Sequence, residues 1–157
     1  MAVGSALPLQ RWLPTVFHGE TQAERDANAI VQRSDSHNDR HAVDVLYTID
    51  GDTFGARVHL APGEDLTAHI RLRGIDAPEL KGRCTTEIRL AEDATAALKR
   101  LLKEGGVMIY NIGSDKYPGR VVADVATRRT PNVSAALLSG GFARRYDGGH
   151  RDGWCDK

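Results

Sequence analysis

The sequence lacks the long apolar segment of a membrane helix, since none of its apolar runs approaches about 20 residues. Residues 1–9 also lack the basic start of a signal peptide, and a proline interrupts their short apolar run. We therefore expect no membrane partner, and a cytoplasmic location unless a leader has been removed. The two cysteines, Cys84 and Cys155, are too few for a disulfide framework.

The chain also lacks an excess of positive charge. Its 21 Lys and Arg residues balance 21 Asp and Glu residues, whereas proteins that bind nucleic acids are usually basic. The average conceals an asymmetry, because residues 1–70 carry 5 basic and 10 acidic side chains and residues 71–157 carry 16 and 11. The net charges are therefore −5 and +5, and the second half can present a basic face that attracts phosphate.

The order of the predicted elements indicates a small β-barrel. A length of 157 residues suits a single domain with its own hydrophobic core. Apolar periodicity and turn residues predict five strands, with a helix between the third and the fourth. The strands are expected at residues 43–49, 53–60, 66–75, 107–112 and 120–126, and the helix at residues 85–103. This is the order of an OB-fold barrel, an α+β fold that is mainly β.

Two to three helices are expected in all. The apolar face of the helix at residues 85–103, which includes Ile88, should pack on the core. A shorter helix is predicted at residues 132–139, with Thr130 as its N-cap and Pro131 at its first position. Residues 1–42 form an N-terminal extension to a domain of residues 43–157, and a capping box at Thr21 and Glu24 predicts a helix within it. The extension is either a partly ordered tail or a helix packed on the barrel.

Three predicted turns concentrate acidic and arginine side chains. Residues 50–53 (Asp-Gly-Asp-Thr) are typical of a tight hairpin turn, which alone needs no function. Residues 71–79 end a strand at an Asp-Ala-Pro-Glu turn that the proline stiffens. Residues 115–120 (Asp-Lys-Tyr-Pro-Gly-Arg) form the third turn. Carboxylates and guanidinium groups in fixed positions are what a hard cation and a phosphate require.

In this order the three turns resemble the staphylococcal nuclease (thermonuclease) family. The family pattern is an Asp-Gly-Asp-Thr turn, then Arg-Leu followed by Asp-(Thr/Ala)-Pro-Glu, then an Asp-(Lys/Arg)-Tyr-Gly-Arg turn, and the resemblance extends from about Val43 to Tyr146. It implies a Ca²⁺-dependent nuclease that hydrolyses DNA and RNA and leaves 3′-phosphate ends. We expect its substrate to be single-stranded or otherwise flexible, and the protein to be a monomer.

The resemblance also implies catalytic roles for three residues. Arg71 and Arg120 would clamp the phosphate, because the planar guanidinium matches two phosphate oxygens and stays charged. Glu79 would act as general base or orient the attacking water. Arg73 matches no catalytic position of the family, and we interpret it as a structural or substrate-side charge.

A metal site and a substrate site are implied in the same way. Asp52 and Asp76 would ligate Ca²⁺ with the backbone carbonyl of Ala77, in a water-rich site that the substrate phosphate completes. The residues expected to contact the nucleotide are Lys116, Tyr117 and Tyr146. For Tyr146 a structural role at the edge of the barrel is an equal alternative.

Some features leave alternatives open. Pro118 is an extra residue in the third turn, so Arg120 reaches the site only if the turn absorbs it. Cys84 and Cys155 could form a disulfide that ties the tail to the Glu79 loop, or remain free thiols, whereas their spacing with His150 is poor for zinc. The alternative function is a non-catalytic OB-fold module that binds nucleic acid, but such modules tend to lose these acids and arginines.

Overall fold

The computed structural model describes Gly4, residues 19–34 and residues 39–155. Within these residues the chain forms three helices and seven strands. The helices are α1 (Gln22–Arg33), α2 (Thr85–Leu102) and α3 (Val133–Ser139). The strands are β1 (His41–Thr48), β2 (Thr53–Ala61), β3 (Glu64–Leu72), β4 (Ile75–Asp76), β5 (Met108–Ser114), β6 (Arg120–Ala126) and β7 (Arg144–Arg145).

Five strands close into a barrel in the order β1-β2-β3-β6-β5, which confirms the predicted OB-fold class. Neighbouring strands are antiparallel except β3 and β6, which pair in parallel, and a short ladder between β1 and β5 closes the barrel. Apolar side chains that alternate along the strands fill the interior. The largest fully buried ones from the barrel are Phe54, Val58, Ile70, Leu72, Ile109, Val121 and Val125.

The predicted strand at residues 66–75 is wrong at its C-terminal end. β3 stops at Leu72, and Gly74 adopts a positive φ of 81°, which turns the chain out of the barrel. Ile75 and Asp76 then form β4, which pairs with β7 in a separate two-stranded sheet. Asp76 therefore lies beyond the barrel wall, next to the C-terminal part of the chain.

Two details of the predicted helices are also wrong. Ile88 of α2 is 37% exposed. The buried face of this helix consists of residues further along it, among them Ala91, Ala94 and Leu98. The N-cap of α3 is Asn132 and not Thr130, since the Asn132 side chain accepts from the Ala135 N–H at 3.0 Å.

Helix α1 is packed on the barrel. The capping box of Thr21 and Glu24 is present, and Ala27 and Ile30 are buried against the core that includes β3, β5 and β6. For residues 22–33 the structure therefore agrees with the second alternative for the extension. Most of its remaining residues, including 5–18 and 35–38, lie outside the described residues. None of the helices that the structure describes is both long and apolar enough to span a membrane.

Candidate active site

The three predicted turns meet at one cavity of about 120 Å³. The hairpin turn between β1 and β2 reaches the end of β3, where the Leu72 N–H donates to Asp52 O at 2.9 Å. The parallel pairing of β3 with β6 sets His69 opposite Arg120, so the third turn reaches the same edge of the barrel. The residues that line this cavity are Asp50, Asp52, Arg71, Ala77, Glu79, Tyr117, Arg120 and Arg151.

Gly51 allows the first turn to approach its neighbours closely. A Cβ at this position would lie 2.6 Å from the Cβ of Ala94 in α2 and 2.8 Å from the Cβ of Ala77. The glycine of the Asp-Gly pair is therefore required by packing, which brings the hairpin turn against the turn that contains Asp76.

Arg71 stands between two carboxylates at the end of β3. Its Nη1 donates to the carbonyl oxygens of Leu72 and Ile75, at 2.9 and 3.0 Å, which fixes the orientation of the guanidinium. Its Nη2 lies 3.7 Å from Asp52 Oδ2 and 3.8 Å from Asp76 Oδ1. One nitrogen thus supports the turn while the other faces the acids.

The two aspartates predicted as metal ligands are both buried. Asp52 accepts from the Ala77 N–H at 2.9 Å on Oδ2 and from the Thr53 hydroxyl at 2.8 Å on Oδ1. Asp76 Oδ1 is buried and has no hydrogen-bond partner among the described residues. Arg151 Nη2 lies 2.6 Å from it, as a charge contact without the angle of a hydrogen bond.

Asp50 is an acidic residue of the site that the sequence interpretation missed. It lines the cavity beside Asp52, and its Oδ1 accepts from the Asp52 N–H at 3.1 Å. Burial and the charge of Asp52 raise the pKa of Asp50 to about 7. From the sequence, Asp50 was interpreted only as the first residue of a hairpin turn. The Asp-Gly-Asp-Thr motif itself does not distinguish a turn residue from an acidic residue of the site.

Arg151 is the second residue that was missed. Its Nη1 donates to Glu79 Oε1 at 2.7 Å, while Nη2 contacts Asp76. Burial lowers the pKa of Arg151, but the hydrogen bond to Glu79 and the close negative charges of Asp76 and Glu79 outweigh this effect and raise that pKa. The Glu79 carboxylate is half-exposed and thus open to a solvent water.

The position of Arg151 follows from a disulfide between Cys84 and Cys155, whose Cα atoms lie 6.1 Å apart. Of the alternatives for the cysteines, the structure has the bridge that ties the tail to the loop after Glu79. A disulfide at these positions was the one sequence signal that could have indicated Arg151, because it brings the tail next to Glu79.

The third turn absorbs Pro118. Gly119 takes a positive φ of 77°, and the Arg120 N–H donates to Tyr117 O at 3.3 Å. The Arg120 guanidinium bonds to Asp115, lies 4.4 Å from the centroid of the Tyr117 ring and lines the cavity. The structure therefore brings Arg120 to the same cavity as Arg71.

A larger cavity, of about 540 Å³, adjoins the first. The three residues expected to contact a nucleotide all line it, namely Lys116, Tyr117 and Tyr146. Arg71 belongs to both cavities, and its guanidinium carbon lies 5.7 Å from the centroid of the Tyr146 ring. A cavity of this size suits a small molecule such as a nucleotide. Arg73 also lines this cavity and donates to Asn111 O at 2.6 Å, so the structure is compatible with both the structural and the substrate-side role.

The donor set fits a hard cation. Buried carboxylate oxygens are ligands that Ca²⁺ accepts, and one of those at this site has no hydrogen bond from any described residue. Among residues 19–34 and 39–155, no three His, Cys, Asp or Glu side chains are close enough to hold a metal ion together. A cation here would therefore have at most two of these side chains as ligands and would need backbone, water or phosphate oxygens besides.

Comparisons with known proteins agree with this chemistry. The sequence profile of the family described as staphylococcal nuclease homologue matches residues 69–153, more than half of the chain. Proteins named probable endonuclease LCL3, from Paracoccidioides lutzii and Paracoccidioides brasiliensis, are each 37% identical to the chain over 90 residues. The alignments cover 54% of this chain and 26% of each relative, so the chain matches about a quarter of their length.

Proposed function

The chain belongs to the family of staphylococcal nuclease homologues, and from this premise we propose that it is a calcium-dependent nuclease that hydrolyses phosphodiester bonds in DNA and RNA. The observation that carries the proposal is the meeting of three distant turns at one cavity, where buried carboxylates face two arginines. The name probable endonuclease, carried by relatives that share part of their length with this chain, supports the same reaction class.

The two arginines are suited to bind the scissile phosphate. Arg71 is oriented by two carbonyl oxygens and Arg120 by Asp115 and the Tyr117 ring, so neither must reorganise when charge develops on the phosphate oxygens. Donors that are already in place stabilise a transition state more than mobile ones do.

Glu79 is suited to the proton transfer. Its carboxylate is exposed enough to meet a water molecule and lines the cavity that the arginines share. We assign to it the acceptance of the proton from the attacking water, or the orientation of that water. Attack in line with the departing 5′ oxygen leaves the phosphate on the 3′ side.

Asp52, Asp76 and the backbone carbonyl of Ala77 would bind the calcium ion. When bound, the ion would supply Lewis-acid charge to the phosphate oxygens. Asp52 is oriented for this task by the Ala77 N–H and the Thr53 hydroxyl.

The larger cavity is suited to the nucleotide. Lys116 supplies a charge for a second phosphate, and Tyr117 and Tyr146 supply aromatic rings that bases can stack on. Because stacking tolerates any base, we propose an unselective enzyme that prefers single-stranded or flexible DNA and RNA.

A digestion assay tests the proposal. Plasmid DNA, single-stranded DNA and RNA are incubated with the protein in Ca²⁺, in Mg²⁺ or in EGTA. We expect cleavage in Ca²⁺ that EGTA abolishes, and products that polymerase cannot extend until a phosphatase removes their 3′-phosphates. Cleavage that persists in EGTA would contradict the calcium assignment. Binding of DNA without cleavage in either metal would favour a non-catalytic module.

A further inference from the structure

The proposed cation site faces a positive charge that the three turns do not supply. Arg151 lies on the C-terminal tail, which we define as residues 147–155. Its Nη2 is 2.6 Å from Asp76 Oδ1, and its Nη1 donates to Glu79 Oε1 at 2.7 Å. One guanidinium therefore bridges a proposed cation ligand and the proposed general base.

The tail is attached to the rest of the molecule on the C-terminal side of Arg151. Its Cys155 forms the disulfide with Cys84, which directly precedes α2. Arg144 of β7 donates to two carbonyl oxygens of the tail, and its guanidinium carbon lies 3.5 Å from the centroid of the Trp154 ring. These attachments keep Arg151 near the two carboxylates and thereby raise its effective concentration there.

Arg151 contacts the Asp76 oxygen that a bound cation would need as a ligand. Within the part of the chain that the structure describes, Asp76 Oδ1 is buried without a hydrogen bond, and its nearest positive charges are Arg151 at 2.6 Å and Arg71 at 3.8 Å. A cation bound to the same oxygen would lie against the Arg151 guanidinium, and like charges at such a distance repel strongly at a buried site. Cation binding at Asp76 Oδ1 and the present contact of Arg151 with that oxygen therefore exclude each other.

We infer that Arg151 is a displaceable counter-ion that sets the affinity of this site for divalent cations. The inference rests on the proposed function, because it takes Asp52 and Asp76 to be the cation ligands. The Arg151 side chain is 41% exposed and lines the cavity of about 540 Å³, so it has open space to enter when a cation replaces it.

Titration with terbium measures this affinity without any nuclease assay. Terbium(III) chloride is added to the full chain, and its luminescence is excited through tyrosine, since Tyr117 lines the same cavity as the carboxylates. We expect Arg151→Gln to lower the terbium dissociation constant by about fivefold, which is the size of effect that a partly exposed ion pair supports. Competition with CaCl₂ should show the same change for calcium.

Two further variants distinguish the loss of the Arg151 contact from a general loss of positive charge. Arg145→Gln removes the same charge from an exposed position six residues earlier, and its dissociation constant should equal that of the parent. Arg151→Lys keeps the charge but not the two-pronged guanidinium, so its constant should fall between those of the parent and Arg151→Gln. A dissociation constant for Arg151→Gln that is unchanged or higher would overturn the inference, as would an equal decrease in Arg145→Gln.

Asp76→Asn distinguishes this inference from the proposed function. If Asp76→Asn binds terbium as tightly as the parent, the proposed cation site is wrong. If Asp76→Asn loses terbium binding while Arg151→Gln does not strengthen it, the cation site stands and the counter-ion role of Arg151 is wrong.

A variant without the disulfide provides a third test of the inference. In Cys84→Ser/Cys155→Ser the tail loses its covalent attachment while Arg151 is retained, so the effective concentration of the guanidinium at Asp76 falls. We expect a lower terbium dissociation constant than in the parent, by a smaller factor than in Arg151→Gln. An unchanged constant would contradict the role of the tail as a tether.

Discussion

Arg71 uses its terminal nitrogens for two different tasks. Nη1 stabilises the turn between β3 and β4 through two carbonyl oxygens, and Nη2 faces Asp52 and Asp76. Removal of the whole side chain would leave those buried acids with less compensating charge and would also loosen the turn. Glu79, which is half-exposed and bonds to the exposed tail, can be changed with little effect on folding.

We predict that Glu79→Gln lowers the cleavage rate by about a hundredfold or more, the usual effect of losing a general base. The amide keeps the shape of the side chain but cannot take a proton, so the fold should be unchanged. Arg71→Lys should lower the rate by a similar factor, because lysine lacks the planar fork. Initial rates on single-stranded DNA in Ca²⁺ measure both effects.

The matched control for these variants is Glu92→Gln, on the exposed face of α2, which should cleave like the parent. Circular dichroism confirms that each variant is folded. Parental rates in both Glu79→Gln and Arg71→Lys would show that the assigned roles are wrong.

Sequence motifs could predict some of the residues that line the site, but not all of them. Asp52, Arg71 and Arg120 were predicted because each occupies a fixed place in a short motif, and all three line one cavity. Asp50 is in the same motif as Asp52, but its position there indicates only a turn residue. Arg151 belongs to no motif, since its position depends on a covalent link between residues 71 positions apart.

At the scale of the elements, the parallel pairing of β3 with β6 determines which ends of the barrel strands lie together. The pair sets Arg71 opposite Val122 and His69 opposite Arg120, so the last residues of β3 lie beside the first residues of β6. Strand periodicity predicted that these strands exist but contains no information about their partners. The break at Gly74 was missed because Ile75 was taken as the next apolar residue of the strand, although it lies three residues after Leu72 and not two.

His59 connects three strands on the outside of the barrel. It lies in β2, and its ring nitrogens are 2.6 Å from Asp65 of β3 and 3.0 Å from Asp44 of β1. The hydrogen bond with Asp65, followed by the charges of both aspartates, raises the pKa of His59 above its ordinary 6.5. Protonation therefore favours the folded state. This contribution is complete below the ordinary pKa and is lost as the pH rises through the pKa of the folded protein.

We predict that His59→Gln reduces the loss of stability between about pH 5.5 and about pH 8.5. The parent should lose stability over this range as His59 loses its proton, and the variant should lose less. Urea denaturation midpoints at both pH values measure the difference. His150→Gln, which changes an exposed histidine of the tail, should keep the pH dependence of the parent. Equal pH dependence in the parent and His59→Gln would contradict the assignment.

At the scale of the whole molecule, contacts between distant parts of the chain complete the barrel and its site. Helix α1 buries Ile30 against the barrel and lies against the third turn, where a Cβ at Gly119 would be 3.2 Å from that of Ala23. The disulfide attaches the other end of the chain to the loop before α2. Capping signals predicted α1 as a helix, but its docking depends on shape complementarity that a sequence pattern does not contain.

We predict that Cys84→Ser/Cys155→Ser lowers the free energy of unfolding by about 2–4 kcal/mol, because the bridge restricts the unfolded chain over a long loop. Urea unfolding at constant pH measures the change. Reducing agent should bring the parent to the stability of the variant and leave the variant unaffected. Equal urea midpoints for the oxidised parent and the variant would show that the bridge does not stabilise the fold.

The family match and the barrel cover different lengths of chain. The match starts at His69, within β3, whereas β1 and β2 precede it and Cys155 follows its last residue. A fragment trimmed to residues 69–153 would therefore be an open sheet, with the backbone groups of β3 and β5 unpaired along two edges. Such edges invite aggregation, so the region that matches the family cannot be excised as an independent folding unit.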